Sequence, residues 1–547
     1  MHPASPHPAS PHPTVRPLVL VRGFGGTDVS DEQRNAYQGF NEGTVYPNKR
    51  GENYIYEGFL LRALKSVRYP YTDATNVIGY YAGDVDGADD GTDWSPDELC
   101  GTIVVDPQTA ARTLAGGVDG TIWVYRFYDL SPRSLDVYGR GLTRLISLIR
   151  GIAVRRGEPF RGVDILAHSM GGLVVRAGLR ELHRTAPGSA AEAVHRIVTL
   201  GTPHRGIAFQ RAPRWLLTLL PRVEHAADEI AAFDPRSTAF TEVATWFPIR
   251  RILTVVGTNH RTYGVTPAAL ANELTTFLDG GRPGSNRSDG LVAQASAQLP
   301  GAPRTFVHKC HGGPDSLVTS REAYEIAMRF FHATHAVRLW LDEAEVRRGG
   351  SWFGHSEYYF GVSIKPRYVD FELFHQSSEA ENCYGPFVQP DFSDDLADLA
   401  TELSGPLASR RDRTTGWAGP DRLIWEGWMD EGHRPGDRAD DLVFRLDVYV
   451  GERDRIGCGF SDNVVFRKQY YVQVLPGDPL ELYVHTGEQY LAPRSAPDRA
   501  GLEALAAGPD PGVQPAAAAG AGQWRFPIGG SGFEATLRVA IDADGRP

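Results

Sequence analysis

Lysine is nearly missing from this chain. It stands only at positions 49, 65, 309, 365 and 468, so arginine carries almost all of the positive charge. The formal net charge is −11, and no run of basic residues with interleaved aromatics offsets it. Nucleic-acid phosphates would be repelled, which argues against a nucleic-acid partner. Cysteine is scarce as well. Cys100, Cys310, Cys383 and Cys458 show no CxxC spacing, so neither a structural zinc site nor a thioredoxin-type redox pair is indicated. Cys383 and Cys458 could pair; four buried or unpaired thiols are the equal alternative. No apolar stretch approaches the length of a membrane span, and the N-terminus lacks the apolar segment of a signal peptide. The expectation is a cytoplasmic protein, with export left open if the true start lies elsewhere. There is also no GxGxxG and no P-loop lysine after the first apolar run, which argues against nucleotide binding.

What is present fits a globular chain with a sizeable core. Of 547 residues, 41% are hydrophobic and 22% charged, and the length exceeds what one hydrophobic core usually organises. Residues 1–16 form a His/Pro repeat without apolar surface, expected to be a disordered tail. From 17 to 334 short apolar runs alternate with helical patterns, the arrangement of a parallel sheet covered by helices. Strands are predicted at 18–21, 76–80, 122–125, 163–166, 196–200, 252–256 and 305–308, and helices at 134–155, 172–184 and 320–333. After 335 the pattern becomes alternating strands with turns between them, at 337–341, 358–364, 371–374, 442–450, 469–475, 480–485 and 533–541. That predicts an antiparallel β-sandwich over 335–547. The Ala/Gly/Pro-rich stretch 505–522 reads as a mobile loop within it.

A serine hydroxyl is a weak nucleophile, so an acyl-transfer enzyme must hold it on a sharp turn, beside a base and under oxyanion donors. The run from Val163 to Ala167 leads into His168-Ser169-Met170-Gly171-Gly172 and then into Leu173-Val174-Val175, a strand, a turn and a helix around one serine. This is the setting of a nucleophile elbow, with Ala167 where the common pattern has glycine. Upstream, the first strand ends in Arg22-Gly23-Phe24-Gly25-Gly26. Downstream come Gly201-Thr202-Pro203-His204-Arg205-Gly206, Ser288-Asp289-Gly290-Leu291-Val292 and Cys310-His311-Gly312-Gly313.

Taken in chain order, these elements resemble those of α/β-hydrolase lipases and esterases, over roughly the first three-fifths of the chain. The resemblance implies an α/β-hydrolase fold with a mostly parallel sheet and a helical lid insertion, followed by the all-β sandwich. It implies Ser169 as nucleophile, His311 as base and Asp289 as the acid that orients it. The backbone N–H groups of Phe24 and Met170 would form the oxyanion hole. Arg22 stands where the family usually has histidine. His204 comes too early for the chain order Ser, acid, His, and is expected to shape the site. His308 lies within a strand, whereas His311 lies just past it, so His311 is preferred.

Residues 207–247 form an apolar insertion, and Trp215, Leu216 and Leu219 in it are candidates to line an acyl pocket; helices packed on the core are the equal alternative. The acidic run 84–93 fails as an EF-hand, because Ala88 falls on a ligand position, and reads as a solvated loop. No metal and no organic cofactor is implied. The β region carries no constellation for chemistry; lipid-surface or glycan contact is open to it by analogy of architecture. The expected activity is serine-dependent hydrolysis of small-molecule or lipid esters with apolar acyl groups. The alternatives are an acyltransferase or thioesterase on the same scaffold, and a lipid- or glycan-binding protein with a vestigial site.

Overall fold

The computed structural model describes residues 15–23, 40, 44–49, 52–56, 58–66, 68–69, 75–78, 104–105, 107–127, 135–204, 242–260, 288–292, 294, 296–313, 315–346, 356–377, 380, 382–388, 423–430, 441–454, 463–477, 479–486, 499–508, 512–530 and 532–542. The chain divides into two compact units, Met1–Ile252 with Val318–Arg321, and Leu253–Leu317 with Glu322–Pro547.

The first unit runs β1 (Leu18–Val21), β2 (Thr44–Lys49), β3 (Glu52–Tyr56), α1 (Phe59–Lys65), β4 (Thr75–Ile78), β5 (Val104–Val105), α2 (Pro107–Gly116), β6 (Ile122–Arg126), α3 (Leu135–Arg155), β7 (Val163–His168), α4 (Met170–Thr185), α5 (Ser189–Ala193), β8 (Val194–Leu200) and α6 (Val243–Trp246). Six strands lie in the order β8-β7-β1-β6-β4-β5, parallel except for the antiparallel pair β4 and β5. β1 and β7 are buried along their whole length, as expected for apolar strands covered on both faces. Their register puts Val21 beside Ala167, so both strands end at the same level. That places the Arg22-Gly23 turn next to Ser169. Helices α3 and α4 cross closely where Gly139 meets Gly178, and a methyl group on Gly139 would come within 2.7 Å of the Gly178 nitrogen.

The second unit opens with β9 (Ile252–Gly257), β10 (Arg304–Val307) and α7 (Arg321–His332). β9 and β10 pair in parallel, with Thr305 opposite Val255. Then follow β11 (His335–Val346), β12 (Ser356–Pro366), β13 (Phe374–His375), β14 (Tyr384–Val388), β15 (Leu423–Met429), β16 (Leu442–Asp454), β17 (Asn463–Leu475) and β18 (Glu481–His485). The chain ends with α8 (Arg499–Ala506), β19 (Val513–Pro515), β20 (Ala517–Gly520), β21 (Gln523–Gly530) and β22 (Phe533–Asp542). Two antiparallel sheets result, one ordered β15-β11-β22-β21-β20 and the other β13-β12-β16-β17-β18-β19, with β14 also paired to β12.

Period-two alternation decides which side chains meet between these sheets. Trp524, Phe526 and Ile528 of β21 are buried while Arg525 and Pro527 are exposed. Leu442, Phe444, Leu446, Val448 and Val450 of β16 belong to the same apolar cluster. This is a sandwich core. It is not confined to the antiparallel strands: Val256 of β9, Phe306 of β10 and Val292 also belong to it.

Three local expectations need correction. Residues 505–522 are not a single loop, since they hold the end of α8 and the strands β19 and β20. Alanine is a weak strand former, but pairing of Ala517 with Arg525 and of Ala518 with Trp524 overrides that preference. Strand β15 was hidden because nearly every residue in Leu423–Met429 is buried, which leaves no alternation to read. Strand β21 was hidden by Pro527 and two terminal glycines, which demote a strand reading. The tail 1–14, the acidic run 84–93 and Cys100 and Cys458 lie outside the described residues, while Cys310 and Cys383 are buried.

Candidate active site

Ser169 sits between β7 and α4 with φ 54° and ψ −129°. Only one other described residue besides glycine, Tyr368, has a positive φ. An L-residue in that conformation carries strain of order 1–3 kcal/mol, which the surrounding structure must hold in place. Here the means are visible. The Ser169 N–H donates to the carbonyl of Leu200 at 2.9 Å, and its carbonyl accepts from Gly172 N–H at 3.1 Å and from the Thr202 hydroxyl at 2.9 Å.

Three glycines let the backbone close around the turn. A methyl group on Gly23 would lie 2.5 Å from Ser169 Cβ and 3.0 Å from its Oγ. One on Gly171 would collide with the carbonyls of Val21 and Arg22, and one on Gly172 with the Thr202 side chain. Ser169 is half-buried and caps the N-terminus of the helix, where the first turn carries the positive end of the helix dipole. Such a terminus stabilises a developing negative charge beside the hydroxyl.

The second unit carries an acid and a base in contact. Asp289 Oδ2 lies 2.9 Å from His311 Nδ1, and both side chains are buried. The other carboxylate oxygen, Oδ1, accepts the N–H groups of Leu291 at 3.1 Å and Val292 at 2.7 Å. Gly290 takes φ 98° to make that tight turn. The chain segments are locked as well as the side chains: His311 N–H donates to the Asp289 carbonyl at 2.9 Å. Beyond His311, Lys309 Nζ meets Asp315 Oδ1 at 2.6 Å, and Cys310 N–H donates to the Asp315 carbonyl at 3.1 Å. A carboxylate in this position accepts from the Nδ1–H tautomer of a histidine, which leaves Nε2 as the ring's acceptor.

Residues 132–228 match the PGAP1-like alpha/beta domain family. That span includes the Ser169 turn and covers less than half of the chain. No curated protein matches the sequence. Among solved structures, the chain is similar to Bacillus licheniformis lipase BlEst2 in its propeptide form, at 12% identity over 86% of this chain and 96% of that one, with a TM-score of 0.30. It is also similar to phospholipase PlaB from Legionella pneumophila, at 12% identity over 65% and 86% of the two chains, with a TM-score of 0.27. These overlaps are too loose to transfer anything to this chain.

The other residues singled out from sequence divide clearly. His204 is buried, with Nε2 2.9 Å from the Thr199 hydroxyl, and Arg176 Nη1 donates to its carbonyl at 2.7 Å. Burial, assisted by the Arg176 charge, holds the His204 imidazole well below its usual range, so it stays neutral. Burial likewise pushes the Arg176 guanidinium down to about 10. His308 Nδ1 lies 3.1 Å from the Thr258 hydroxyl, whereas His311 has the carboxylate. Met170 is the first residue of α4. Phe24, Trp215, Leu216 and Leu219 lie outside the described residues, while Trp246 and Phe247, at the end of the apolar insertion, are buried.

Two residues that matter to the geometry escaped sequence reasoning. Thr202 anchors the Ser169 carbonyl, and its only signal was membership of the Gly-Thr-Pro-His run. Gly257 ends β9, where a methyl group would come 2.6 Å from Asp289 Cβ and 2.9 Å from the Lys309 carbonyl. A glycine at a strand end carries no signal that distinguishes it from any other turn.

Proposed function

We propose that this protein is a serine-dependent carboxylic ester hydrolase working through an acyl-enzyme. The observation that carries this reading is the strained Ser169 turn, closed by Gly23, Gly171 and Gly172 at the head of a helix. The Asp289–His311 pair supports it, as do the parallel sheet with its helices and the PGAP1-like match over 132–228.

In this mechanism Ser169 Oγ attacks the ester carbonyl while His311 Nε2 takes the hydroxyl proton. Asp289 keeps His311 in the correct tautomer and stabilises the imidazolium. The N–H of Met170, with that of Phe24, receives the oxyanion. His311 then returns the proton to the leaving alcohol, and a water, activated by the same base, hydrolyses the acyl-enzyme. The apolar insertion 207–247, through Trp215, Leu216 and Leu219, accounts for a preference for apolar acyl groups, and a lipid ester is the substrate class that fits it.

The test is hydrolysis of p-nitrophenyl esters from acetate to palmitate by the intact chain and by Ser169→Ala. The expected result is wild-type turnover with a loss of about 10⁴-fold or more in the variant. A folded wild-type chain that hydrolyses none of these esters rejects the reading.

A further inference from the structure

The Asp289 turn is tied to the C-terminal sandwich by a buried polar relay that local turn geometry does not require. Gln294, fully buried, donates from Nε2 to the Ala380 carbonyl at 3.3 Å. Its own carbonyl accepts from Gln298 Nε2 at 3.2 Å, and Gln298 Oε1 accepts from Arg304 Nη1 at 3.1 Å. Arg304 is the first residue of β10, the strand that leads to His311. The relay therefore joins a sandwich loop to both segments that carry the acid–base pair.

The described residues around Ala380 are tied together by hydrogen bonds. Asn382 Nδ2 donates to the His375 carbonyl at 2.9 Å, its Oδ1 accepts from Ser377 N–H at 3.0 Å, and Gln376 Nε2 donates to the Asn382 carbonyl at 3.0 Å. Ala380 N–H donates to the Ser377 hydroxyl at 3.1 Å. Gln376 and Asn382 are both buried. Apolar packing runs along the same seam. Val292, whose N–H holds Asp289 Oδ1, shares the sandwich core cluster, and the rings of Phe306 on β10 and Phe374 on β13 have centroids 6.0 Å apart. Buried polar groups are costly when left unpaired, and Gln294 Oε1 has no partner among the described residues, so the Nε2 bond to Ala380 is the one that fixes this amide.

We propose that Gln294 is a positioning residue through which the β-sandwich holds Asp289 against His311, making the sandwich a working part of the acid–base arm. The inference rests on the ester-hydrolase reading for its effect on turnover. Its effect on the Asp289–His311 hydrogen bond stands apart from that reading. Loss of the relay lets the carboxylate shift by a fraction of an ångström, and misplacements approaching 1 Å cost on the order of 10²-fold in rate.

The experiment uses the full chain carrying Gln294→Met, which keeps the volume and removes the donor. Phe374→Leu, at the apolar part of the seam, serves as the second variant should the first not fold. Tyr470→Phe, which removes a sandwich hydrogen bond to Gly529 N–H (3.0 Å) that is not part of the relay, is the control. Competent sites are counted with a p-nitrophenyl phosphonate, and the low-field proton signal of His311 Nδ1–H is followed by NMR, assigned by its loss in His311→Asn. The expected result is a kcat per counted site reduced about tenfold with KM within about twofold, together with an upfield move of the Nδ1–H signal. Tyr470→Phe is expected to lose stability while keeping both readouts. An unchanged Nδ1–H signal in folded Gln294→Met overturns the proposal. A moved signal in a chain without esterase activity upholds the positioning role and rejects the hydrolase reading instead.

Discussion

The turn around Ser169 and the pair formed by Asp289 and His311 are built by opposite means. The serine turn is a backbone construction. Ser169, Gly171 and Gly172 are nearly contiguous, the strain is borne by one φ angle, and Gly23, Leu200 and Thr202 from neighbouring segments close on that backbone. The acid–base pair is a side-chain construction. Its members stand 22 positions apart, and their alignment depends on hydrogen bonds from Leu291 and Val292 and on packing shared with the sandwich. A motif built from contiguous backbone can be read from a short stretch of sequence. A pair assembled from distant segments cannot, because the strands, loops and core that align it are specified elsewhere.

The sharpest way to probe this contrast is Asp289→Asn. It leaves the serine turn untouched and favours the wrong histidine tautomer, so kcat on p-nitrophenyl esters is expected to fall by about 10⁴-fold with the fold intact by circular dichroism. If turnover survives, the acid lies elsewhere. Next comes Gly257→Ala, whose methyl group would press on Asp289 Cβ from β9. A fall of about 10²-fold in kcat is expected, with little change in phosphonate labelling at the slow limit. An effect on stability alone would show that the acid tolerates displacement.

Thr202→Val tests the backbone side of the comparison. It removes the hydroxyl that anchors the Ser169 carbonyl, a bond worth about 1 kcal/mol in stability, with a several-fold loss in kcat expected. A larger loss would mean that the strained turn has less redundancy than its two remaining backbone hydrogen bonds imply.

The smallest expected effect concerns pH. Burial pushes the His485 imidazole down to about 4, from an ordinary value of 6.5, partly opposed by Asp441. Between these values the unfolded chain binds more protons than the folded one, so the contribution of His485 to stability is complete above 6.5 and lost as pH falls toward 4. His204 acts in the same direction in the first unit. Urea midpoints between pH 7 and pH 4.5 should therefore fall, and His485→Leu should flatten the part of the slope that belongs to the sandwich. An unchanged slope would assign the acid sensitivity to other groups.

Much of the architecture was legible because it rests on patterns of one short period. Continuous apolar runs marked β1, β6, β7 and β9, and alternation marked β12, β16 and β22. The strands that escaped were those in which the pattern is absent or contradicted. Leu423–Met429 is buried on both faces, Gln523–Gly530 contains a proline, and Ala517–Gly520 has weak strand propensity. Each is a strand because a neighbour supplies its partner, which is a property of the tertiary fold.

The same division holds at the site. By itself the sequence determined that Ser169 follows a buried strand and opens a helix, and that small residues flank it, because these features depend on residues within a few positions of one another. It also offered two histidines near the end of one strand, and two histidine-bearing loops. Only the tertiary structure decided that His311 lies against Asp289, that His308 turns to Thr258 and that His204 is a neutral buried group beside Arg176. Only there does Gln294 meet Ala380, 86 positions away. Hydrogen bonds are short and directional, so partners separated by many residues become definite only when the chain between them has folded.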